Sequence, residues 1–214
     1  DPLKLEPSVT LTMIKPGEAI PGDTALVIIP GTKSTIGDLN FLRLQGWDID
    51  LRAHLRRGGR VLGICGGYQM LGQTIDDPEG IEGPANKIDG LAMLDVNTVM
   101  SPQKHLVRVA GTEPESGAPV TGYEIHNGNT AGNDCSHPML EINGKPEGAR
   151  SGLVSGCYIH GLFSSDAYRT TFLNSFGAAS SVTYSSEIET VLDNLADHLE
   201  NHLDVEGMIT LAQT

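Results

Sequence analysis

The segment RVLGICGGYQMLG, residues 60–72, decides the fold of this chain. Residues 60–64 predict a short buried strand, because they are mainly apolar and follow a Gly-Gly turn signal. Residues 67–74 predict the start of a helix, and a single cysteine, Cys65, lies between the two elements. The segment therefore predicts a strand, a sharp turn and a helix, with a thiol at the turn.

The spacing Gly63-x-Cys65-x-Gly67 is that of a nucleophile elbow, with sulfur in place of serine oxygen. Glycines let the backbone crowd at such a turn, and a helix N-terminus favours thiolate over thiol. A free cysteine in a strand is more often a small buried hydrophobic residue. A structural cysteine has no need of glycines on both sides, so we interpret Cys65 as a nucleophile.

Composition and charge narrow the class of protein. A chain of 214 residues suits one α/β domain with a sizeable core, and a net charge of −13 argues against a nucleic-acid partner. Three cysteines are too few and odd in number for a disulfide framework, which favours a reducing compartment. The sequence has neither an apolar run near membrane-spanning length nor an N-terminal signal. We expect a cytoplasmic protein without membrane contact.

Apolar patterning predicts the other elements of the fold. Strands are predicted at residues 9–14, 24–29, 91–100, 106–110, 120–126, 139–142 and 153–163. Helices are predicted at residues 38–44, 48–57, 165–176 and 186–202. The early order β, β, α, α, β, α indicates a doubly wound sheet, and the later run of strands indicates an antiparallel extension.

Three local features complete that interpretation. Residues 76–87 are polar and rich in turn residues, which predicts a solvated loop, and Asn143-Gly144 predicts a hairpin turn. Ser186 and Glu189 have the spacing of a capping box at the start of the last long helix. That helix carries an apolar stripe, formed by Val191, Leu192, Leu195, Leu199 and Leu203.

A thiol nucleophile needs a base, and His160 is the best placed of the seven histidines. It ends a predicted buried strand and precedes Gly161, so it should share a sheet edge with the elbow. Five of the other six histidines lack such a setting: His54, His198 and His202 lie in amphipathic helices, His105 has no companion feature, and His137 forms only a Cys-x-His pair with Cys135. One such pair is a weak metal signal, so no metal site is predicted.

Two glycines are the natural donors for an oxyanion hole. Attack of a thiol on an amide creates an oxyanion, which each backbone N–H can stabilise by about 3 kcal/mol. Gly66 follows the nucleophile, and Gly31 follows the predicted strand at residues 24–29. Gly31 is equally compatible with a simple turn on local grounds.

Four segments in chain order carry a family resemblance: PGTK at residues 30–33, GICGGYQMLG at 63–72, GYEIH at 122–126 and YIHGLF at 158–163. Together they resemble the glutamine amidotransferase domain of cobyric acid synthases, the CobB/CobQ type of class I glutaminase. The resemblance extends from about Val9 to the C-terminal helix. It implies a flavodoxin-like three-layer α/β/α sandwich and one glutaminase domain over residues 1–214.

The resemblance also implies an activity and its residues. Glutamine would be hydrolysed through a thioester on Cys65 with His160 as base and Gly31 and Gly66 as the oxyanion hole. The residues expected near the bound glutamine are Gln69, Tyr123, Glu124, Ile125 and His126. The ammonia would pass to an ATP-dependent domain that amidates the peripheral b, d, e and g carboxylates of adenosylcobyrinic acid a,c-diamide in cobalamin biosynthesis.

Two departures from the class pattern accompany the resemblance. Class I amidotransferases commonly carry His-x-Glu, whereas residue 162 is a leucine, so the third triad member is a water, a backbone carbonyl or an acid from a neighbouring domain. Asn127 stands where the family often has methionine. The chain also lacks a phosphate-binding Gly-x-x-x-x-Gly-Lys-Ser/Thr loop. We therefore expect no cofactor in this domain, with ATP and Mg²⁺ in an N-terminal synthetase domain of a longer polypeptide, which would also bind the corrinoid acceptor.

Other functions fit the same residues. The chain could be the glutaminase of cobyrinic acid a,c-diamide synthase or of a lipid II amidating complex, because a glutaminase domain does not contact the acceptor. A cysteine peptidase of the same fold would use the same nucleophile. A non-catalytic interaction domain is disfavoured by the presence of both Cys65 and His160.

Overall fold

A computed structural model describes residues 1–213 of the chain, without the side chains of residues 103–105. The side chain of His105, to which the sequence assigned no role, thus lies outside the described residues. The strands are β1 Leu26–Ile29, β2 Arg60–Ile64, β3 Thr74–Asp77, β4 Asn86–Asp89, β5 Val96–Thr112, β6 Pro119–Gly132, β7 Leu140–Ile142, β8 Lys145–Glu147, β9 Ala149–Ser151, β10 Val154–Cys157 and β11 Ile159–His160. The helices are α1 Pro2–Leu5, α2 Thr35–Leu44, α3 Trp47–Arg56, α4 Gly66–Leu71, α5 Asp166–Asn174, α6 Tyr184–His202 and α7 Val205–Ala212.

The first sheet has the strand order β1-β2-β10-β9, with parallel pairing except at β9. Neighbouring side chains of β2 enter different cores: Val61 packs with Leu39 of α2, whereas Leu62 packs with Leu173 of α5. This alternation is the two-residue period of a strand covered on both faces. The predicted three-layer α/β/α arrangement is confirmed.

The second sheet has the order β11-β6-β5-β3-β4, with β7 paired to β5 and β8 paired to β7. Its centre is the long antiparallel pair of β5 and β6, which runs from Val96 opposite Gly132 to Thr112 opposite Pro119. The predicted antiparallel extension is therefore confirmed. The predicted strands at 91–100 and 106–110 join into the single strand β5. The hairpin turn between β7 and β8 is also confirmed, with φ of 51° at Asn143 and 74° at Gly144.

The predicted strand at residues 153–163 is divided between the two sheets. β10 pairs with β2 in the first sheet, whereas β11 pairs with β6 in the second. The chain then turns at Gly161, where φ is 75°, into a 3-10 helix at Leu162–Ser164. His160 therefore lies at the junction of the two sheets.

Three local predictions are wrong. Residues 9–14 form no strand; they have no ladder partner, and Met13 is 76% exposed. The predicted loop at 76–87 is ordered at both ends, where β3 pairs with β4, and buried Asp77 accepts hydrogen bonds from the N–H groups of Ile81 and Glu82. The capping box is absent because α6 begins earlier, with Thr183 at its N-cap.

The C-terminal helices α6 and α7 bury none of their residues. The predicted apolar stripe is present on α6, but Leu195 is 50% exposed and Leu199 41% exposed. The helical periodicity of the stripe was sufficient to predict the helix. Within the described part of the chain, the stripe is exposed rather than buried in a core.

Candidate active site

Cys65 occupies a strained turn between β2 and α4. Its φ and ψ are 54° and −113°, and its N–H donates to the Cys157 carbonyl at 2.8 Å, which joins the elbow to β10. A Cβ added to Gly63 would lie 2.6 Å from the Gly67 carbonyl oxygen, and one added to Gly67 would lie 2.0 Å from the Ile29 carbonyl oxygen. The flanking glycines are therefore required by close backbone packing, as the elbow pattern predicts.

The thiol of Cys65 is buried and directed at the second sheet. The residue is 8% exposed, and its Sγ donates to the Ile125 carbonyl oxygen at 3.3 Å. Burial raises the pKa of the Cys65 thiol; the Gly66 N–H opposes this shift and the charge of Glu82 adds to it. The Cys65 sulfur is therefore a protonated thiol at neutral pH.

His160 meets Cys65 at Gly31. A Cβ added to Gly31 would lie 2.9 Å from His160 Cε1 and 3.3 Å from Cys65 Cβ, so the three residues converge on one point. The Nε2 atom of His160 is buried and has no hydrogen-bond partner. Burial lowers the pKa of His160; the Ile125 carbonyl opposes this shift and the nearby His126 adds to it. A neutral imidazole with a free nitrogen can accept the thiol proton.

Gly66 packs against the loop that follows β1. A Cβ added to Gly66 would lie 2.6 Å from Thr32 Cγ2 and 3.3 Å from the Thr32 backbone nitrogen. The structure thus packs the loop that carries Gly31 against Gly66, so both predicted oxyanion donors lie beside Cys65. Their role as donors stays a prediction.

Residues 123–126 of β6 form one wall of the site. The Tyr123 ring stacks on His160, with centroids 5.1 Å apart and an interplanar angle of 10°. The carboxylate of Glu124 contacts His126 Nε2 at 2.6 Å, while the carbonyl of Ile125 accepts from Cys65. All four residues predicted here lie at or beside the thiol–imidazole pair. Their contacts to a substrate stay predictions.

Gln69 lies in a buried polar network. It is 2% exposed; its Nε2 donates to the Asn127 carbonyl and the Tyr158 hydroxyl, and its Oε1 accepts from the Thr35 hydroxyl. The Tyr158 hydroxyl also bonds Thr130. Gln69 therefore joins α4 to α2 and to the second sheet, and a direct contact with substrate would require it to exchange one of these partners.

Sequence reasoning missed the partners in this network. Tyr158 is the first residue of the YIHGLF segment, so its position was a usable signal; its ring also stacks on His126 with centroids 3.7 Å apart. Thr35 and Thr130 carried no signal, because only the tertiary fold brings them to Gln69. The Oδ1 atom of Asn127, where the sequence departs from the family, is buried without a partner.

No carboxylate takes the place of a third triad member among the described residues. Leu162 is 1% exposed and packs into the core with Phe163 and Tyr168, and no acidic group contributes to the pKa shift of His160. The groups that do contribute, besides burial, are the Ile125 carbonyl, which raises the pKa, and His126, which lowers it. Of the three alternatives from the sequence, the backbone carbonyl is thus the one with a contact in this structure.

The described residues show no disulfide and no metal-binding cluster. All three cysteines are free, and no group of three or more His, Cys, Asp or Glu side chains is arranged to hold a metal ion within the described part of the chain. None of the helices within residues 1–213 has the length and apolar character needed to cross a bilayer.

Comparison with known proteins adds three findings. Residues 1–168 match the CobB/CobQ-like glutamine amidotransferase domain. Over its full length the chain is 61% identical to a cobyric acid synthase of Cereibacter sphaeroides and 59% identical to one of Bradyrhizobium diazoefficiens. The chain spans only 45% of the length of each of these relatives.

A solved structure shares the fold at low sequence identity. The structure of PurLQS from Thermotoga maritima aligns with a TM-score of 0.51 and 18% identity, over 74% of this chain and 82% of that chain. This likeness concerns the arrangement of strands and helices alone.

Proposed function

Because the chain belongs to the CobB/CobQ-like family of glutamine amidotransferase domains, we propose that it hydrolyses glutamine through a thioester on Cys65. The observation that carries the proposal is the buried, unpartnered Nε2 atom of His160 at a point where the imidazole, the thiol and Gly31 converge. A general base with a free nitrogen beside a protonated thiol is the arrangement that acyl transfer to sulfur requires.

Acylation begins when the Cys65 thiol gives its proton to His160 Nε2 and the sulfur attacks the carboxamide carbon of glutamine. The tetrahedral oxyanion accepts hydrogen bonds from the backbone N–H groups of Gly31 and Gly66, each worth about 3 kcal/mol. The imidazolium then protonates the departing nitrogen, so ammonia leaves and a γ-glutamyl thioester remains. The burial of the thiol supports this order, because the sulfur attacks only after its proton has been transferred.

Deacylation uses the same groups in reverse. The neutral His160 takes a proton from a water molecule, and the resulting hydroxide attacks the thioester carbon. The carbon–sulfur bond breaks, the proton returns to Cys65 sulfur, and glutamate leaves. The net reaction is glutamine and water to glutamate and ammonia.

The wider role follows from the full-length relatives. Both are cobyric acid synthases more than twice as long as this chain, so we propose that a synthetase portion of the same polypeptide receives the ammonia. With ATP and Mg²⁺ bound in that portion, the ammonia would amidate the peripheral carboxylates of adenosylcobyrinic acid a,c-diamide during cobalamin biosynthesis. The 55–61% identity to cobyric acid synthases favours this acceptor over those of sibling amidotransferases.

Glutamate release from glutamine tests the proposal. It would be measured for the chain alone and for the chain mixed with the part of the Cereibacter sphaeroides relative that it does not match. We expect release that Cys65→Ala abolishes and Cys135→Ala leaves intact, since Cys135 is a free thiol outside the proposed machinery. Glutamate release by Cys65→Ala at the wild-type rate, or none by the wild type in either setting, would overturn the proposed reaction.

A further inference from the structure

The imidazole of His160 is held by an aromatic ring rather than by a carboxylate. His160 lies directly opposite Tyr123 in the antiparallel pairing of β11 with β6. Their rings are nearly parallel, with an interplanar angle of 10° and centroids 5.1 Å apart. Directly opposed residues on two antiparallel strands are the pairs whose side chains interact most closely.

The backbone beside this pair is built for close approach. A Cβ added to Gly122 would lie 2.2 Å from the His160 carbonyl oxygen, so only glycine lets β6 come this near to β11. On the other strand, Gly161 adopts φ of 75° and ends β11 immediately after the histidine. The position of the Tyr123 ring over the imidazole is therefore fixed by the strands.

The usual means of orienting such a histidine is absent from its surroundings. Leu162 packs in the apolar core. The pKa of His160 is shifted by its burial, by the Ile125 carbonyl and by His126, and no carboxylate among the described residues contributes to this shift. Tyr123 is 44% exposed, so its ring contributes little to the core; its other surface lines an open groove with Leu106 and Arg108. The Tyr123 ring therefore lies between the imidazole of His160 and this groove.

We propose that Tyr123 is the positioning residue for His160, holding the imidazole so that Nε2 is directed at Cys65 and Gly31. The aromatic face performs the orienting role that a hydrogen-bonded carboxylate has in a Cys-His-acid triad, and the Ile125 carbonyl supplies the polar contact. An aromatic face also stabilises the imidazolium formed when the thiol proton arrives. This inference rests on the proposed function and replaces the substrate contact that the family resemblance assigned to Tyr123.

The test compares Tyr123→Leu, which keeps apolar volume without a ring, with Tyr123→Phe, which keeps the ring. Assayed in the chain joined to its synthetase partner, Tyr123→Leu should lower kcat for glutamine about tenfold with KM unchanged. Tyr123→Phe should restore most of kcat. A rise in KM with kcat unchanged would identify Tyr123 as a substrate contact and overturn the inference.

A second measurement needs no glutamine turnover. The rate of Cys65 alkylation by iodoacetamide at neutral pH should fall in Tyr123→Leu but not in Tyr123→Phe, because proton transfer to His160 precedes attack. In a His160→Ala background the same Tyr123→Leu change should have no further effect, since the ring acts only through the imidazole. An equal loss in both backgrounds would overturn the inference, and circular dichroism melts confirm that each variant is folded.

The two measurements separate the failures of the two proposals. If wild-type chain releases no glutamate but Tyr123 still controls alkylation through His160, the proposed reaction is wrong and the positioning role stands. If glutamate is released and Tyr123→Leu changes neither kcat nor alkylation, the reaction stands and the positioning role is wrong.

Discussion

The Sγ atom of Cys65 lies 3.3 Å from the backbone carbonyl oxygen of Ile125 and donates a hydrogen bond to it. Cys65 follows β2 of the first sheet and Ile125 belongs to β6 of the second, so this hydrogen bond crosses the junction between the two sheets. The same carbonyl raises the pKa of His160 against the effect of burial. One backbone group thus contacts both members of the proposed catalytic pair.

This contact leads to a prediction for the pH dependence of labelling. Burial raises the pKa of the Cys65 thiol above its ordinary value, so less thiolate exists at a given pH in the folded chain than in the unfolded chain. The rate of Cys65 alkylation would be measured without glutamine from about pH 6 to about pH 10, by mass spectrometry of the peptide that contains Cys65. This rate should rise at a higher pH in the folded chain than in the denatured chain. The denatured chain is the reference, and a folded curve at or below its midpoint would contradict the protonated resting state.

The elbow glycines give a prediction for stability. Gly67→Ala places a Cβ 2.0 Å from the Ile29 carbonyl oxygen, which is backbone and cannot move aside without shifting β1. We expect a loss of about 1–3 kcal/mol in the free energy of unfolding, measured by urea denaturation. Gly22→Ala is the matched control, because nothing lies within 4 Å of its added Cβ. It should be neutral or stabilising by up to about 1 kcal/mol, and equal effects at both positions would contradict the packing argument.

A buried ion pair near the N-terminus, between Glu6 and Arg169, gives a second prediction for the free energy of unfolding. Arg169 is fully buried; its Nε donates to Glu6 Oε1 at 2.6 Å, and the Ser180 hydroxyl donates to the same oxygen. Glu6→Gln removes the closer of the two carboxylates paired with Arg169, since Asp166 remains at 2.8 Å, and should cost about 3 kcal/mol of unfolding free energy. Glu79→Gln, at an exposed site, should change stability by less than about 0.5 kcal/mol. A small loss for Glu6→Gln would show that Arg169 is neutralised by its other partners.

The same carboxylate should make the fold sensitive to acid. Burial alone would raise the pKa of Glu6, but hydrogen bonds from Ser180, Arg169 and Ser181 outweigh it and lower the pKa below its ordinary value of 4.5. A lowered folded-state pKa contributes stability above the unfolded value, and this contribution is lost as pH falls through the folded value. Wild-type chain should lose more stability below about pH 4.5 than Glu6→Gln does, measured by denaturant midpoints. Parallel acid curves would contradict this assignment.

For Glu147 we predict the opposite dependence of stability on pH. It is half-buried beside Tyr158, whose N–H donates to its Oε1 at 2.7 Å, and desolvation raises its pKa above the ordinary value of 4.5. A raised folded-state pKa gives stability that is present below the unfolded value and is lost as pH rises through the folded value. Glu147→Gln should therefore lose less stability than wild type between about pH 5 and about pH 8, at about 1.4 kcal/mol per unit of pKa shift removed. Glu141→Gln, at an exposed site, should keep the wild-type dependence of unfolding free energy on pH. If Glu147→Gln also keeps the wild-type dependence, the Glu147 carboxyl is not the cause of that dependence.

The parts of the site that the sequence predicted lie at strand ends. Gly31 and Cys65 follow the parallel strands β1 and β2, whose ends lie at one edge of the first sheet. His160 follows shortly after β10, the next parallel strand, although it lies in β11 of the second sheet. Local pattern and general topology were sufficient to place all three together.

The parts that the sequence did not predict depend on pairing between distant segments. The stack of Tyr123 on His160 and the bond from Tyr158 to Thr130 exist only because β6 meets β11 in one register, which no local pattern specifies. The same limit explains the wrong strand at residues 9–14, whose alternation is present but has no neighbouring strand to complete it. Ser186 and Glu189 likewise have the right spacing at a point where the helix has already begun.

The division of β10 from β11 at Tyr158 has a mechanical consequence. Cys65 follows a strand of the first sheet, whereas Tyr123, Ile125 and the backbone of His160 belong to the second. The separation of sulfur and imidazole is therefore set by the angle at which the two sheets meet. Because β6 contacts both side chains, a load applied to the distant end of the β5–β6 hairpin should reach the proposed catalytic pair through this one strand.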